Sequence, residues 1–220
     1  MRKNKVLILL GFLSLLLLFF LSGCGGSGGG NSTPLATVTP IVTSTPIATP
    51  TPTTTIYTIG NTGPAGGIIF YDKGNYSAGW RYLEAAPSDQ CNKITWCNGT
   101  TSTNCCAIGL TNTAIGTGAA NTAAIVDIQG TGSYAAYICD KLVLGGKSDW
   151  FLPSKDELNE MYQNLHANGL GHFNCTWYWS SSEYSYYEAW IQIFEYGGQG
   201  GYAKYDIIHE PSGVRAVRAF

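Results

Sequence analysis

Ser154 and Glu157 stand three residues apart in the run 149–183, DWFLPSKDELNEMYQNLHANGLGHFNCTWYWSSSE. This pair constrains the fold more than any other feature of the chain. A serine hydroxyl accepts the backbone N–H three residues on, and a glutamate there reaches back to the serine N–H. Two orphan donors of a helix are then satisfied reciprocally. Leu158, Met161, Tyr162 and Leu165 follow at i, i+3, i+4 and i+7, one apolar stripe. Asn168-Gly169 supplies a left-handed stop. The helix is thus specified at both ends and along one face. The block 178–183, Tyr-Trp-Ser-Ser-Ser-Glu, follows and falls outside any helical period.

Around that helix the pattern is mixed. The segment 66–71 (GGIIFY) reads as a buried strand, 72–79 as a turn containing Gly74-Asn75, and 80–84 (WRYLE) as the return strand. The stretch 85–118 reads as loop. Asn121 is placed to cap a helix over 122–128, and Ser133 one over 134–142. Further strands are expected near 189–196, 202–208 and 214–220, with Gly197-Gly198 and Gly200-Gly201 between the first two. Strands at both ends and helices between them define an α+β fold of antiparallel strands, the N- and C-terminal strands paired, with two or three helices.

The N-terminus has another purpose. Arg2, Lys3 and Lys5 precede an apolar run over 6–21, shorter than the ~20 residues of a spanning helix. Leu21-Ser22-Gly23-Cys24 then resembles a bacterial lipobox, whose cysteine is acylated. The expectation is a signal peptide over 1–23 and a lipid on Cys24, hence a cell-envelope protein of the outer membrane or cell surface. Residues 24–55 are Gly/Ser-rich and then Thr/Pro-rich, without a charge or an aromatic, so they build no core and act as a spacer. The domain proper is 56–220.

The chain has 12 Lys and Arg against 14 Asp and Glu. Arg2, Lys3 and Lys5 belong to the signal, so nine cations face fourteen acids in the domain. A mildly acidic surface is a poor match for nucleic acid. Six cysteines remain after Cys24: Cys91, Cys97, Cys105, Cys106, Cys139 and Cys175. An even number in an exported chain points to disulfides. Six cysteines allow 15 pairings, among which the sequence does not choose; Cys91–Cys97 is the local candidate, and the adjacent Cys105 and Cys106 are expected to take different partners, with Cys139 and Cys175 as candidates. No CxxC occurs and His166, His172 and His209 lack ligand spacing, so neither a metal nor any other cofactor is expected.

The runs GPAGGIIFYDKG, GWRYLEAAP, AIGTGAANT, GGKSDWFLPSKDELNEMY, YWSSSEY and VRAVRAF, in this order, resemble the Lcl C-terminal domain family, the C-terminal domain of bacterial collagen-like surface adhesins. The resemblance covers 57–220. It implies a fold similar to the C-type-lectin-like fold, shared with formylglycine-generating enzymes and hypervariable phage receptor-binding proteins, in which the terminal strands meet. It also implies adhesion, in some members to host glycans. The cysteine-rich insert over 91–106 departs from the commoner pattern.

Chemistry is harder to find. Trp150 and Trp179 lie inside fold-specifying motifs and read as core. Asp149 and Glu183 read as partners of backbone or of Arg215 and Arg218, because buried charges need partners. Glu210-Pro211 is followed by Ser212 and lacks the remaining residues of a calcium-binding lectin loop. No GxSxG, HExxH or phosphate loop occurs. These absences point away from an enzyme. Tyr184, Tyr186, Tyr187, Trp190, Gln192, Tyr196 and Tyr202 form the candidate ligand-binding surface, since Tyr with Ser and Gly gives large rigid contacts plus adaptable hydrogen bonds. The expectation is a lipid-anchored binding module for glycan or protein. The alternatives are a structural envelope lipoprotein without a ligand and an exported enzyme.

Overall fold

A computed structural model describes residues 55–99, 107–206 and 212–220, all within the unit Pro52–Phe220. The expectations for the signal peptide 1–23, Cys24, the spacer up to 54, Cys105, Cys106, His209 and Glu210-Pro211 lie outside the described residues.

The fold is α+β. The described residues form three helices and two sheets. The first sheet holds β1 (Ile68–Ser77), β2 (Trp80–Ala85) and β7 (Val217–Ala219), in the order β1-β2-β7 and antiparallel throughout. The second holds β3 (Trp177–Glu183), β4 (Glu188–Ile193), β5 (Gln199–Ala203) and the short β6 (Ser212–Gly213), in the order β5-β4-β3-β6. There β6 runs parallel to β3 and the other pairs are antiparallel. The described segment before β1 meets the C-terminal residue, but the first and last strands do not pair with each other: β2 lies between them. Tyr57 closes the gap, its ring 5.2 Å from that of Phe220.

The β1–β2 hairpin differs from its sequence reading. The strand continues through Gly74-Asn75 and turns at Ala78-Gly79, both at positive φ. Asp72 is the reason. It accepts Gly74 N–H at 2.7 Å and two bonds from the Arg81 guanidinium across the ladder, so the strands stay together past the glycine.

β3 organises the core. Tyr178 enters one apolar cluster with Phe70, Leu83, Leu158, Met161 and Phe194. Trp179 enters the other with Trp96, Ile125, Tyr134, Trp150 and Ile191. Successive strand side chains point to opposite faces, so a strand covered on both sides shows no polar–apolar alternation. Ser180, Ser181 and Ser182 are buried too, and each hydroxyl donates to a carbonyl: Trp190, Pro153 and Asn112. Those bonds offset the cost of burying hydroxyls and tie β3 to β4 and to the loops before two helices.

The helices are α1 (Gly118–Gln129), α2 (Ala135–Asp140) and α3 (Lys155–Asn164). At α3 the capping box forms: Glu157 N–H reaches Ser154 Oγ at 3.2 Å, and Ser154 N–H reaches Glu157 Oε2 at 2.7 Å. Glu157 Oε1 also accepts Gly116 N–H at 2.8 Å, so one buried carboxylate joins the loop before α1 to the start of α3. Burial raises its pKa above the ordinary glutamate value, and the backbone donors at Ser154, Gly116 and Gly118 oppose that rise. Gly169 adopts the left-handed stop, after a short 3-10 turn.

The other two caps do not form. α1 begins at Gly118 after Thr117. Asn121 lies inside it, buried, bonding both backbone groups of Asn112 and Ser181 Oγ. α2 follows Tyr134 without a side-chain cap and stops at Asp140, short of Leu142.

The disulfide expectation needs correction. Cys97 is disulfide-bonded, whereas Cys91, Cys139 and Cys175 are free. Cys91–Cys97 is therefore not formed, and Cys139 and Cys175 are not joined to Cys105 and Cys106. Position explains it. Cys139 is enclosed in the tryptophan cluster, Cys91 packs at that cluster's edge, and Cys175 packs against the other cluster beside Gly213.

Candidate functional site: the tyrosine loop between β3 and β4

β3 and β4 are joined by 184–187, Tyr-Ser-Tyr-Tyr. The three tyrosines are 52%, 55% and 54% exposed, although the strands on either side are largely buried. Tyr184 packs edge-on against Trp190 with centroids 4.7 Å apart, and Tyr186 does the same against Tyr187 at 4.7 Å. The Lys155 ammonium stands 5.2 Å from the Trp190 ring centroid. Gly201 makes room for this arrangement: a Cβ there would stand 2.5 Å from Tyr184 Cδ1.

The loop backbone is fixed. Tyr184 and Ser185 N–H both donate to Glu188 O, at 3.0 and 3.1 Å, and Ser185 Oγ donates to Glu188 Oε2. Beneath it lies Lys204, fully buried. Its N–H donates to Tyr187 O at 3.0 Å, and its ammonium donates to Tyr186 O at 2.9 Å and to Glu183 Oε1 at 2.5 Å. Glu183 also accepts Ile108 and Gly109 N–H, each at 2.7 Å. Every bond to this carboxylate is charge-assisted, and such bonds are stronger than neutral ones. The loop is therefore preorganised.

The seven sequence candidates divide. Tyr184, Tyr186, Tyr187 and Trp190 share this surface. Gln192 does not belong to it: it is buried, and its amide donates to Gly197 O to close the β4–β5 turn. Tyr202 does not either. Its ring packs 5.0 Å from Trp177 and 6.0 Å from Trp179, at the margin of the tryptophan cluster. Tyr196 is 68% exposed but sits on the turn at the far end of β4, roughly 17 Å away at a strand's rise per residue. Strand direction separates what sequence proximity grouped.

The charge expectations also divide. Arg218 pairs with Asp149 at 2.5 Å, and with Glu84 at 3.0 Å. Glu183 bonds backbone as expected, at Ile108 and Gly109 N–H, and pairs with Lys204 and with neither arginine, while the buried Arg215 takes Asp89 at 2.7 Å. Trp150 and Trp179 are core residues. Lys204 was not identifiable as the anchor of the loop, because a single lysine just past the end of β5 carries no spacing signal.

Chemically, the loop presents ring faces and hydroxyls. Cys175 and His166 share a cavity of about 210 Å³ elsewhere in the domain. Burial, and then the charge of Asp89, push that thiol up to about 11, which leaves it protonated and a poor nucleophile at neutral pH. Among the described residues no group of three or more His, Cys, Asp or Glu is placed to hold a metal, and no helix is long and apolar enough to cross a membrane. A second aromatic surface, absent from the sequence candidates, lies beside the first sheet. Tyr57, Tyr76, Arg81, Tyr82 and Phe220 line a cavity of about 320 Å³.

No protein-family model matches the chain, and no curated protein matches it at a significant level.

Proposed function

We propose that the chain is a lipid-anchored surface binding module of the cell envelope, with no catalytic role, which recognises a glycan or protein through the Tyr184–Tyr187 loop and Trp190. In this reading the domain is a C-type-lectin-like member of the Lcl C-terminal domain family, displayed from a membrane by acylated Cys24 and the Thr/Pro spacer. One observation carries it: three tyrosines are more than half exposed on a loop whose backbone is held by a buried lysine. None of the three belongs to either apolar cluster, so their rings are left for an outside partner. A rigid loop with exposed rings binds at low entropic cost, because little freedom remains to be lost. Tyrosine adds apolar area together with a hydroxyl that seeks a partner.

The test is an array of glycans and proteins probed with the mature lipidated protein and with the Tyr186→Ala/Tyr187→Ala variant. The reading expects specific binding by the first and its loss in the second. An array on which the mature protein binds nothing favours an envelope protein without a dedicated ligand.

A further inference from the structure

Side-chain donors stand open at the tyrosine loop, while acceptors beside them are already engaged. Tyr186 O and Tyr187 O take the Lys204 ammonium and N–H. Glu188 O takes Tyr184 and Ser185 N–H, and the Glu188 carboxylate takes Ser185 Oγ at 3.0 Å. By contrast, the hydroxyls of Tyr184, Tyr186 and Tyr187 and the Trp190 indole N–H have no hydrogen-bond partner among the described residues. None of these groups is sealed from solvent, and each has a proton to give.

The rings are set in pairs. Tyr184 meets Trp190 at an interplanar angle of 74°, and Tyr186 meets Tyr187 at 67°. Two rings so steeply inclined, with centroids 4.7 Å apart, form the walls of a notch. Charge plays little part here, since Lys155 pairs with Asp156 at 2.8 Å and Glu188 holds Ser185. The matching occupant is apolar, supplies acceptors and brings no donor of its own. Proline meets all these conditions: its ring is apolar, its carbonyl accepts, and it has no N–H. In a polyproline II helix the carbonyls carry no internal hydrogen bonds, and the segment is ordered before it binds. A saccharide matches less well. Each sugar hydroxyl that accepts also brings a proton, for which this loop has few open acceptors.

We propose that the occupant of the tyrosine loop is a proline-rich segment of a partner protein, bound in extended polyproline II form. Proline rings seat at the Tyr184–Trp190 and Tyr186–Tyr187 pairs, and the segment's carbonyls accept from the phenol hydroxyls and the Trp190 N–H. The inference rests on the proposed function, in that it takes the loop as the binding site, and it names the chemistry of the partner. The Lys204 anchor suits this mode, because a fixed loop that meets a stiff segment loses little freedom on either side.

The experiment is fluorescence anisotropy of labelled decaproline with the mature lipidated protein in detergent micelles, beside a Gly/Ser peptide of equal length. The expected result is saturable binding of decaproline below about 1 mM and none of the Gly/Ser peptide. Tyr184→Phe/Tyr186→Phe keeps both ring pairs and removes two donors, so it should bind decaproline about tenfold more weakly at unchanged Tm. A wild-type protein that leaves decaproline unbound, or that binds the Gly/Ser peptide equally, overturns the proposal. So does a double Phe variant that binds as tightly as wild type. A glycan held on the array and lost in Tyr186→Ala/Tyr187→Ala, with decaproline unbound, overturns the proposal alone and leaves the loop as the binding site. Array and peptide both without binding overturn the proposed function as well.

Discussion

Replacing Lys204 by Met separates a buried charge from the volume it occupies. The substitution keeps the unbranched stem and its packing, and removes an ammonium that bonds Glu183 at 2.5 Å and Tyr186 O at 2.9 Å and faces Trp96. Breaking one partner of a buried ion pair costs about 3–5 kcal/mol, mostly because the other charge is left uncompensated. Glu183 would keep its two backbone donors and is 11% exposed, so the lower end applies, about 3 kcal/mol. For a domain of this size each kcal/mol moves Tm by about 2–4 °C, which places the loss near 6–12 °C. Denaturant titration and a thermal scan read it directly. Adding Glu183→Gln removes the stranded charge but turns an NH2 toward Ile108 or Gly109 N–H, so it should recover no more than about 1 kcal/mol. A loss below about 1 kcal/mol in the single variant would mean that water already solvates this pair and that it does not hold the loop.

Three further outcomes follow. Gly118→Ala should destabilise by about 1–3 kcal/mol in denaturant titration, against a gain of about 1 kcal/mol from helix propensity alone; a Cβ there would stand 2.2 Å from Glu157 Oε2 and 2.8 Å from the Phe151 ring, and a more stable variant would sink the overlap argument. Ser154→Ala should cost about 0.5–2 kcal/mol by calorimetry and leave binding intact, because the hydroxyl contacts Glu157 N–H and Ala114 O and no ligand surface; lost binding at full stability would show a functional serine. Stability should also fall in alkali. Burial, then the Tyr137 and Asp140 charges, push the Tyr134 phenol from 10 to about 12, and burial pushes the Cys139 thiol well above 9. Both raised groups give stability that is complete below the unfolded values and is lost as pH rises toward the folded ones, at most about 3 kcal/mol from Tyr134. A denaturation midpoint constant from pH 9 to 12 would contradict it.

Local features were legible in the sequence and shared ones were not. α3 could be read because its cap, stripe and stop lie within 15 residues and act on one another. β3 could not, since burial of Tyr178 on one face and Trp179 on the other erases the alternation that marks a strand. Asn121 has the chemistry of a cap but serves inside a helix, where a loop 9 residues upstream uses its amide. Of the site, the exposed tyrosines of 184–187 were legible as composition. That Tyr196 lies at the other end of β4 follows only from where the strand starts and stops. Lys204 was hidden for a different reason: its ammonium's partners Tyr186 and Glu183 lie 18 and 21 residues away, and Trp96 packs on it from a distant loop.

The central claim is that recognition runs through neutral ring faces and hydroxyls on the β3–β4 loop. The measurement that addresses it most directly is a set of binding isotherms against the ligand selected on the array. Wild type and Tyr186→Ala/Tyr187→Ala are compared at low and high salt, with and without chelator. The account predicts that the variant binds at least about tenfold more weakly at unchanged Tm, a loss of about 1.4 kcal/mol. It also predicts that wild-type affinity changes little with salt, since screening weakens charge pairing and not ring contacts, and is indifferent to chelator. Equal affinity in the variant, or wild-type binding that collapses in salt or chelator, would place recognition on another surface.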